Sequence, residues 1–204
     1  MGRLLGPIGK MSRREGVPLD ENPKNPVKRR PYPPGAHGAT QRRGRMSSYG
    51  IQLREKQKAK RLYGVMERQF RRYFETASRY KGNTGEMLTR FLELRLDNVV
   101  YRLGFAKTRR MSRQMVNHGF FAVNGAKVDI PSFQVSPGDI VTIRVNKEKK
   151  PIFQPLEESL KKHTTASWLH LDAAARTGKV ASLPEGDDLK QVFDPTLIVE
   201  FYSR

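Results

Sequence analysis

The 204-residue sequence predicts an α+β protein: a mainly helical first half, a small antiparallel sheet in the second, and an extended basic arm at the N-terminus. Three observations predict it. Apolar side chains recur at helical spacing between residues 47 and 117, and an Asn124-Gly125 pair sits between short strand-like flanks. The first 45 residues hold seven of the thirteen prolines and seven glycines, with little hydrophobic periodicity.

In residues 1–45 too little apolar surface is available for the segment to order itself alone. Basic clusters stand at Arg13-Arg14, Lys28-Arg29-Arg30 and Arg42-Arg43-Gly44-Arg45. The run Arg30-Pro31-Tyr32-Pro33-Pro34-Gly35 reads as extended, because each proline fixes its own φ and moves the preceding residue out of the helical region. A basic segment of this kind is expected to be an extended arm ordered by an anionic partner.

Ser47 or Ser48 is a suitable N-cap for a helix through Leu62, which Gly64 ends. A second helix is predicted over Met66 to Tyr80, where Met66, Phe70, Tyr73, Phe74 and Ala77 form one apolar stripe and the arginines lie away from its centre. Thr84, followed by Glu86, opens a third stretch in which Leu88, Phe91, Leu92, Leu96, Val99, Val100 and Leu103 keep helical spacing to Gly104; it can break into two helices near Arg95. Thr108 caps a short basic helix to about Asn117, with Met111, Met115 and Val116 predicted to face inward.

Asn124-Gly125 demands positive φ and predicts a tight hairpin between Phe121 to Val123 and Ala126 to Val128. Ser136-Pro137-Gly138-Asp139 is a turn leading into a β-branched strand, Ile140 to Val145. Beyond residue 152 the pattern weakens to a short helix near Gln154 to Lys162, a strand-like Ser167 to Leu171 and an apolar end, Leu197 to Tyr202.

Thirty-nine Lys and Arg face 20 Asp and Glu, for a net charge of +19. The excess is uneven: residues 1–60 hold 15 basic and 4 acidic side chains, residues 61–110 hold 12 and 5, and residues 111–204 hold 12 and 11. Such a surface repels itself unless an anion compensates it, and nucleic acid is the leading candidate. With no cysteine, disulfides, thiolate metal sites and cysteine nucleophiles are excluded. No apolar run approaches the roughly 20 residues of a membrane span, so no membrane partner and a cytoplasmic location are expected. Gly6-Pro7-Ile8-Gly9-Lys10 lacks the first glycine and the Ser or Thr of a phosphate loop. Glu157-Glu158 and Asp187-Asp188 lie in polar surroundings, His37, His118, His163 and His170 have no metal-ligand spacing, and Trp168 reads as core. Neither enzyme chemistry, nor a metal, nor a cofactor is expected.

The run Arg95-Leu96-Asp97-Asn98-Val99-Val100-Tyr101-Arg102-Leu103-Gly104-Phe105-Ala106 resembles the signature of the family of small-subunit ribosomal protein four. Similar landmarks are Tyr32-Pro33-Pro34-Gly35, His37-Gly38, Val116-Asn117-His118-Gly119, Val123-Asn124-Gly125, Ile130-Pro131-Ser132, Pro137-Gly138-Asp139, Ser167-Trp168-Leu169 and the ending Ile198 to Arg204. The resemblance implies a helical domain, residues 46–93 completed by 180–204, into which an RNA-binding domain of residues 94–179 is inserted. The small module of two helices and an antiparallel sheet would lie at about 94–145. It also implies a structural role in the small ribosomal subunit, in which members bind the 5′ domain of the small-subunit ribosomal RNA early in assembly and contact small-subunit ribosomal protein five. Some members repress translation of their own messenger RNA or act where messenger RNA enters the ribosome, which touches translational accuracy. Many relatives carry a zinc-binding cysteine cluster that is missing here, and Met111, Met115 and Phe120 depart from the common family pattern.

RNA presents phosphates and 2′-hydroxyls that arginine and lysine can track without reading bases, and arginine engages phosphate with a planar fork. The module candidates are Arg109, Arg110, Ser112, Arg113 and Gln114, extended by His118, Asn124 and Lys127. His118 reads equally well as a helix C-cap, and Asn124 as a turn residue first. Candidates in the arm and first helices are Arg13, Arg14, Arg29, Arg30, Tyr32, Arg42, Arg43, Arg45, Arg54, Lys58, Arg61, Arg68, Arg71 and Arg72. Two other functions carry similar modules: an RNA-modifying enzyme, for which residues 146–204 are too short and lack a nucleophile motif, and a heat-shock or quality-control RNA binder.

Overall fold

The computed structural model describes residues 4–20, 25–40, 44–148, 150–154, 156–161 and 163–204. The chain divides into two compact units, Met1–Leu88 with Gln191–Arg204, and Thr89–Lys190.

The first unit is helical. Helix α1 (Ile8–Glu15) lies inside the segment expected to be an extended arm without structure of its own. Local packing orders it: Ser12 is fully buried and its hydroxyl accepts from the Leu19 amide at 3.2 Å, while Leu19 and Asn25 are buried beside it. The proline run is clamped to α1 by Arg13, which donates to the carbonyls of Tyr32 and Pro33 at 3.0 and 3.1 Å with its guanidinium 4.7 Å from the Tyr32 ring centre. Bonds from side chain to backbone thus take the place of hydrophobic periodicity in ordering this segment.

Ser47 caps α2 (Ser48–Tyr63) by accepting from the Gly50 amide, and Gly64 ends it in the left-handed region at φ 63°. Helix α3 (Glu67–Ala77) is shorter than predicted; Met66 is its exposed N-cap residue rather than part of the apolar stripe. Phe70 and Phe74 instead meet Tyr202 of the C-terminal helix α9 (Pro195–Tyr202), with ring centres 6.3 and 4.7 Å apart. Asp194 caps α9 through the Thr196 amide at 2.8 Å. Buried Ala59, Leu62, Tyr63, Phe70, Leu88, Phe193 and Ile198 form the core of this unit.

The predicted third helical stretch does break at Arg95, giving α4 (Thr84–Glu93) and α5 (Leu96–Arg102). The first amides of α5 are satisfied by the 131–135 loop, Leu96 donating to Phe133 at 2.8 Å and Asp97 to Pro131 at 3.2 Å. Helix α6 (Arg109–Asn117) follows, capped by Thr108 as expected, with Met115 and Val116 buried and Met111 half-buried. Strands β1 (Phe121–Val123) and β2 (Ala126–Lys127) form the Asn124-Gly125 hairpin, at φ 51° and 81°. Strand β3 (Ile140–Ile143) stops short of Val145, which is 81% exposed at the start of α7 (Val145–Glu148).

Helix α8 (Leu156–Lys161) leads to β4 (Leu169–Asp172) and β5 (Thr177–Val180), and the antiparallel sheet has the order β2-β1-β3-β5-β4. Strand β5 has no strand-like sequence, and its Gly178 is required because a Cβ there would run into the Leu103 side chain. One sheet face, carrying Phe121, Val123, Val141, Ile143, Leu169 and Val180, packs with Val99, Val100, Leu103, Phe105 and Trp168 into the core of the second unit.

Candidate nucleic-acid interface

Beneath α6 lies a buried polar network that fixes which of its side chains point outward. Arg95 is fully buried and holds both Asp97 carboxylate oxygens, Nε at 2.9 Å and Nη2 at 2.6 Å. Arg113 reaches the same carboxylate at 3.2 Å, and the Ser112 hydroxyl donates to the Asp97 carbonyl. Glu93, also fully buried, accepts from Arg102 at 3.1 and 3.0 Å and from Asn98 at 2.8 Å. Asn98 in turn accepts from Arg109 Nε at 2.8 Å, and the Arg109 guanidinium lies 4.4 Å from the Tyr101 ring centre. Each buried charge in this network therefore has an opposite charge and hydrogen bonds, the condition under which ionised groups are tolerated in a core.

The network separates the five helix candidates. Ser112 is 0% exposed and Arg113 is buried, so both secure α6 to α5 and neither presents its side chain at the surface. Arg109 is half-buried and anchored on Asn98 and Tyr101. Arg110 and Gln114 are exposed, and His118 continues their line at the helix end, the i, i+4, i+8 spacing of one helix face. Asn124 is exposed but its amide is engaged at both ends, donating to Asp139 across the turn at 2.8 Å and accepting from the Ile140 amide at 2.9 Å. Lys127 is exposed and pairs with Asp129 at 2.7 Å.

In the first unit, Arg54 and Arg61 converge on buried Glu15. Burial pushes the Glu15 carboxyl up against the pull of Arg61 and Arg54. Lys58 pairs with Glu55 at 2.5 Å and Arg71 with Glu75 at 3.1 Å, whereas Arg14, Arg29, Arg30, Arg45, Arg68 and Arg72 are exposed. Arg13 and Tyr32 are joined in the clamp described above. Arg42 and Arg43 lie outside the described residues, as do the side chains of Glu157 and Glu158. Among the described residues, no cluster of His, Asp or Glu is placed to hold a metal ion, and no helix is long and apolar enough to cross a membrane.

Comparison with known proteins matches residues 3–93 to the Ribosomal protein S4/S9 N-terminal domain and residues 94–141 to the S4 domain. Small ribosomal subunit protein uS4 of Chloroflexus aurantiacus is 52% identical over 206 residues, covering all of both chains. The proteins of the same name from Persephonella marina and Thermus thermophilus are 50% and 47% identical, again over the full length of each. The chain belongs to the small ribosomal subunit protein uS4 family. This uS4-family membership makes it a ribosomal structural protein rather than an enzyme.

The network residues Arg95, Asp97, Asn98 and Arg102 were visible in the sequence only as part of a family signature, and Glu93, just before that signature, did not stand out. Their signal was the density of charge in an otherwise apolar helical run, Glu93 to Val100. Apolar neighbours on both sides of a charged residue imply burial, and burial implies a partner.

Proposed function

We propose that this uS4-family chain binds small-subunit ribosomal RNA through the exposed Arg110–Gln114–His118 face of α6, with the inward residues Arg109, Ser112 and Arg113 holding that face in place. The observation that carries the reading is the division of labour on one nine-residue helix: one side is bonded to Asn98 and Asp97, and the other is exposed and carries Arg110 and Gln114. A rigid helix presenting Arg and Gln loses little backbone entropy on engaging an RNA surface, and RNA is recognised largely by shape and backbone. Exposed Arg14, Arg29, Arg30, Arg45, Arg68 and Arg72 supply further phosphate contacts from the first unit, with Arg42 and Arg43 from the arm.

In this reading the RNA partner is the 5′ domain, the chain is an early binder that nucleates its assembly, and residues 94–179 act as an inserted RNA-binding domain. Small-subunit ribosomal protein five is the neighbouring protein, while repression of its own messenger RNA and an influence on translational accuracy are secondary duties.

Chemical footprinting of isolated small-subunit ribosomal RNA, with and without the protein at two salt concentrations, tests the reading. Protection clustered at a junction in the 5′ domain and weakened by salt is expected, with a salt slope that reports on the order of 6 to 10 phosphate contacts. Diffuse protection, or binding indifferent to salt, would overturn it.

A further inference from the structure

We infer a second RNA phosphate-binding site just beyond the C-terminal end of α6, formed by Lys127, Arg144 and Lys147 around Gly119 and Phe120; it rests on the RNA-binding reading above and extends it. Gly119 has φ 64°, and a Cβ built on it would lie 2.8 Å from Lys127 Cε and 3.7 Å from both Lys127 Nζ and Arg144 Nη1. Glycine is needed here for its backbone conformation, and the Lys127 stem crosses directly above it. Two cations distant in sequence are brought over one chain reversal.

Each cation is held in place from within the protein. Arg144 Nη1 donates to the Gly119 carbonyl at 3.1 Å, which orients the guanidinium fork. Lys147 Nζ lies 5.5 Å from the centre of the Phe120 ring, and that ring is supported by Phe153 at 5.7 Å. Lys127 pairs with Asp129 at 2.7 Å, but both side chains are about half exposed, so the pair is weak and a phosphate competes with it. Like charges gathered this closely repel one another, and a bound anion relieves the repulsion. Arginine with lysine at fixed positions suits phosphate, the fork giving paired hydrogen bonds and the ammonium a point charge.

Continuity favours RNA over an acidic protein. His118, the last residue of the proposed RNA-binding face of α6, directly precedes Gly119, so one strand following α6 runs onto this cluster. Neither Arg144 nor Lys147 stood out in the sequence as a candidate, and Phe120 stood out only as a departure from the family pattern, because a hairpin and a turn separate Phe120 from the two cations.

The test is a filter-binding salt series with full-length protein and transcribed small-subunit ribosomal RNA. It compares wild type with Arg144→Ala/Lys147→Ala, with Lys147→Ala alone, and with Lys179→Ala as an exposed basic control on β5. The double variant is expected to lower the slope of log affinity against log salt by about 2, roughly one for each phosphate left without its cation. Lys147→Ala is expected to lower it by about 1, and Lys179→Ala to leave it unchanged. Wild-type slope and affinity in both patch variants, with RNA binding otherwise intact, would overturn this site alone. Failure of the wild-type chain to bind the RNA would remove the functional reading and this site together. Unchanged RNA salt slope in the double variant, together with polyglutamate binding that wild type shows and the double variant loses, would assign the patch to an acidic protein and overturn the RNA site.

Discussion

Asp97 and Arg95 are two residues apart and form a two-pronged ion pair, 2.9 and 2.6 Å, with the arginine wholly enclosed by the second unit. The geometry arises because α4 ends at Glu93 and α5 restarts at Leu96, so Arg95 takes extended backbone between two helices and its side chain turns back onto the first turn of α5. Arg113 then adds a third bond to the same carboxylate, which makes Asp97 the joint between α5 and α6.

Removing that joint leaves a guanidinium buried without its countercharge. Asp97→Ala is therefore expected to destabilise the protein by about 3–5 kcal/mol, the range for breaking one side of a buried pair. Urea unfolding of the full chain measures it; a change under about 1 kcal/mol would show that Arg95 finds another partner or reaches water.

Arg110 and Arg113 should separate cleanly although only three residues apart. Arg110→Ala is expected to weaken RNA binding and lower the salt slope by about 1, as removal of one phosphate-bound cation should, with a smaller fall in melting temperature than Arg113→Ala. Arg113→Ala is expected to lower the melting temperature first, because its guanidinium bonds Asp97 inside the unit. The reverse assignment in filter binding and thermal melts would contradict the division proposed for α6.

Asn124 is engaged by Asp139 and by the Ile140 amide, so its contribution is to the hairpin. Asn124→Ala is expected to cost about 1 kcal/mol of stability while RNA affinity changes by less than about twofold, well under the roughly tenfold of 1.4 kcal/mol. A large fall in affinity in a fully stable variant would instead make Asn124 an RNA contact.

Acid should loosen the first unit at Glu67. This carboxylate accepts from Lys56 at 2.9 Å, Lys60 at 2.6 Å and Tyr202 at 2.8 Å. Burial raises its pKa, but the hydrogen bonds from Lys60, Lys56 and Tyr202 outweigh burial and hold it at about 2, below the ordinary 4.5. A carboxyl depressed on folding contributes stability that is present above about pH 4.5 and is lost as pH falls from there toward about 2. Because the Glu67 side chain is 46% exposed, solvent screening keeps the contribution to about 1 kcal/mol or less. Melting curves from about pH 6 to about pH 3, which span the upper part of that window, should fall more gently for Glu67→Gln than for wild type; parallel curves would remove Glu67 from the acid response.

The readable parts of the fold were those whose instructions are local. Ser47 and Thr108 as caps, Asn124-Gly125 as a turn and the break at Arg95 depend on a few adjacent residues, and each stands where the pattern placed it. Helix α1 and strand β5 were not legible because their order comes from elsewhere in the chain: Ser12 meets Leu19 and Asn25, and Gly178 opens room for Leu103. Ser112 and Arg113 looked like ligand contacts because a polar residue on a short basic helix is exposed by default, and only a buried partner reverses that default.

The sequence by itself determined the class of partner and the family, since net charge, absence of cysteine and short contiguous motifs are properties of the chain in any conformation. The tertiary structure alone decided which cations face outward. Glu93 and Asp97 draw Arg95, Arg102 and Arg113 inward, while Arg110 on α6 has its side chain at the surface. The reason is that ion pairing in a low-dielectric interior is set by distance across the fold, and residues 16 apart, such as Asp97 and Arg113, come within bonding distance only when α6 packs on α5.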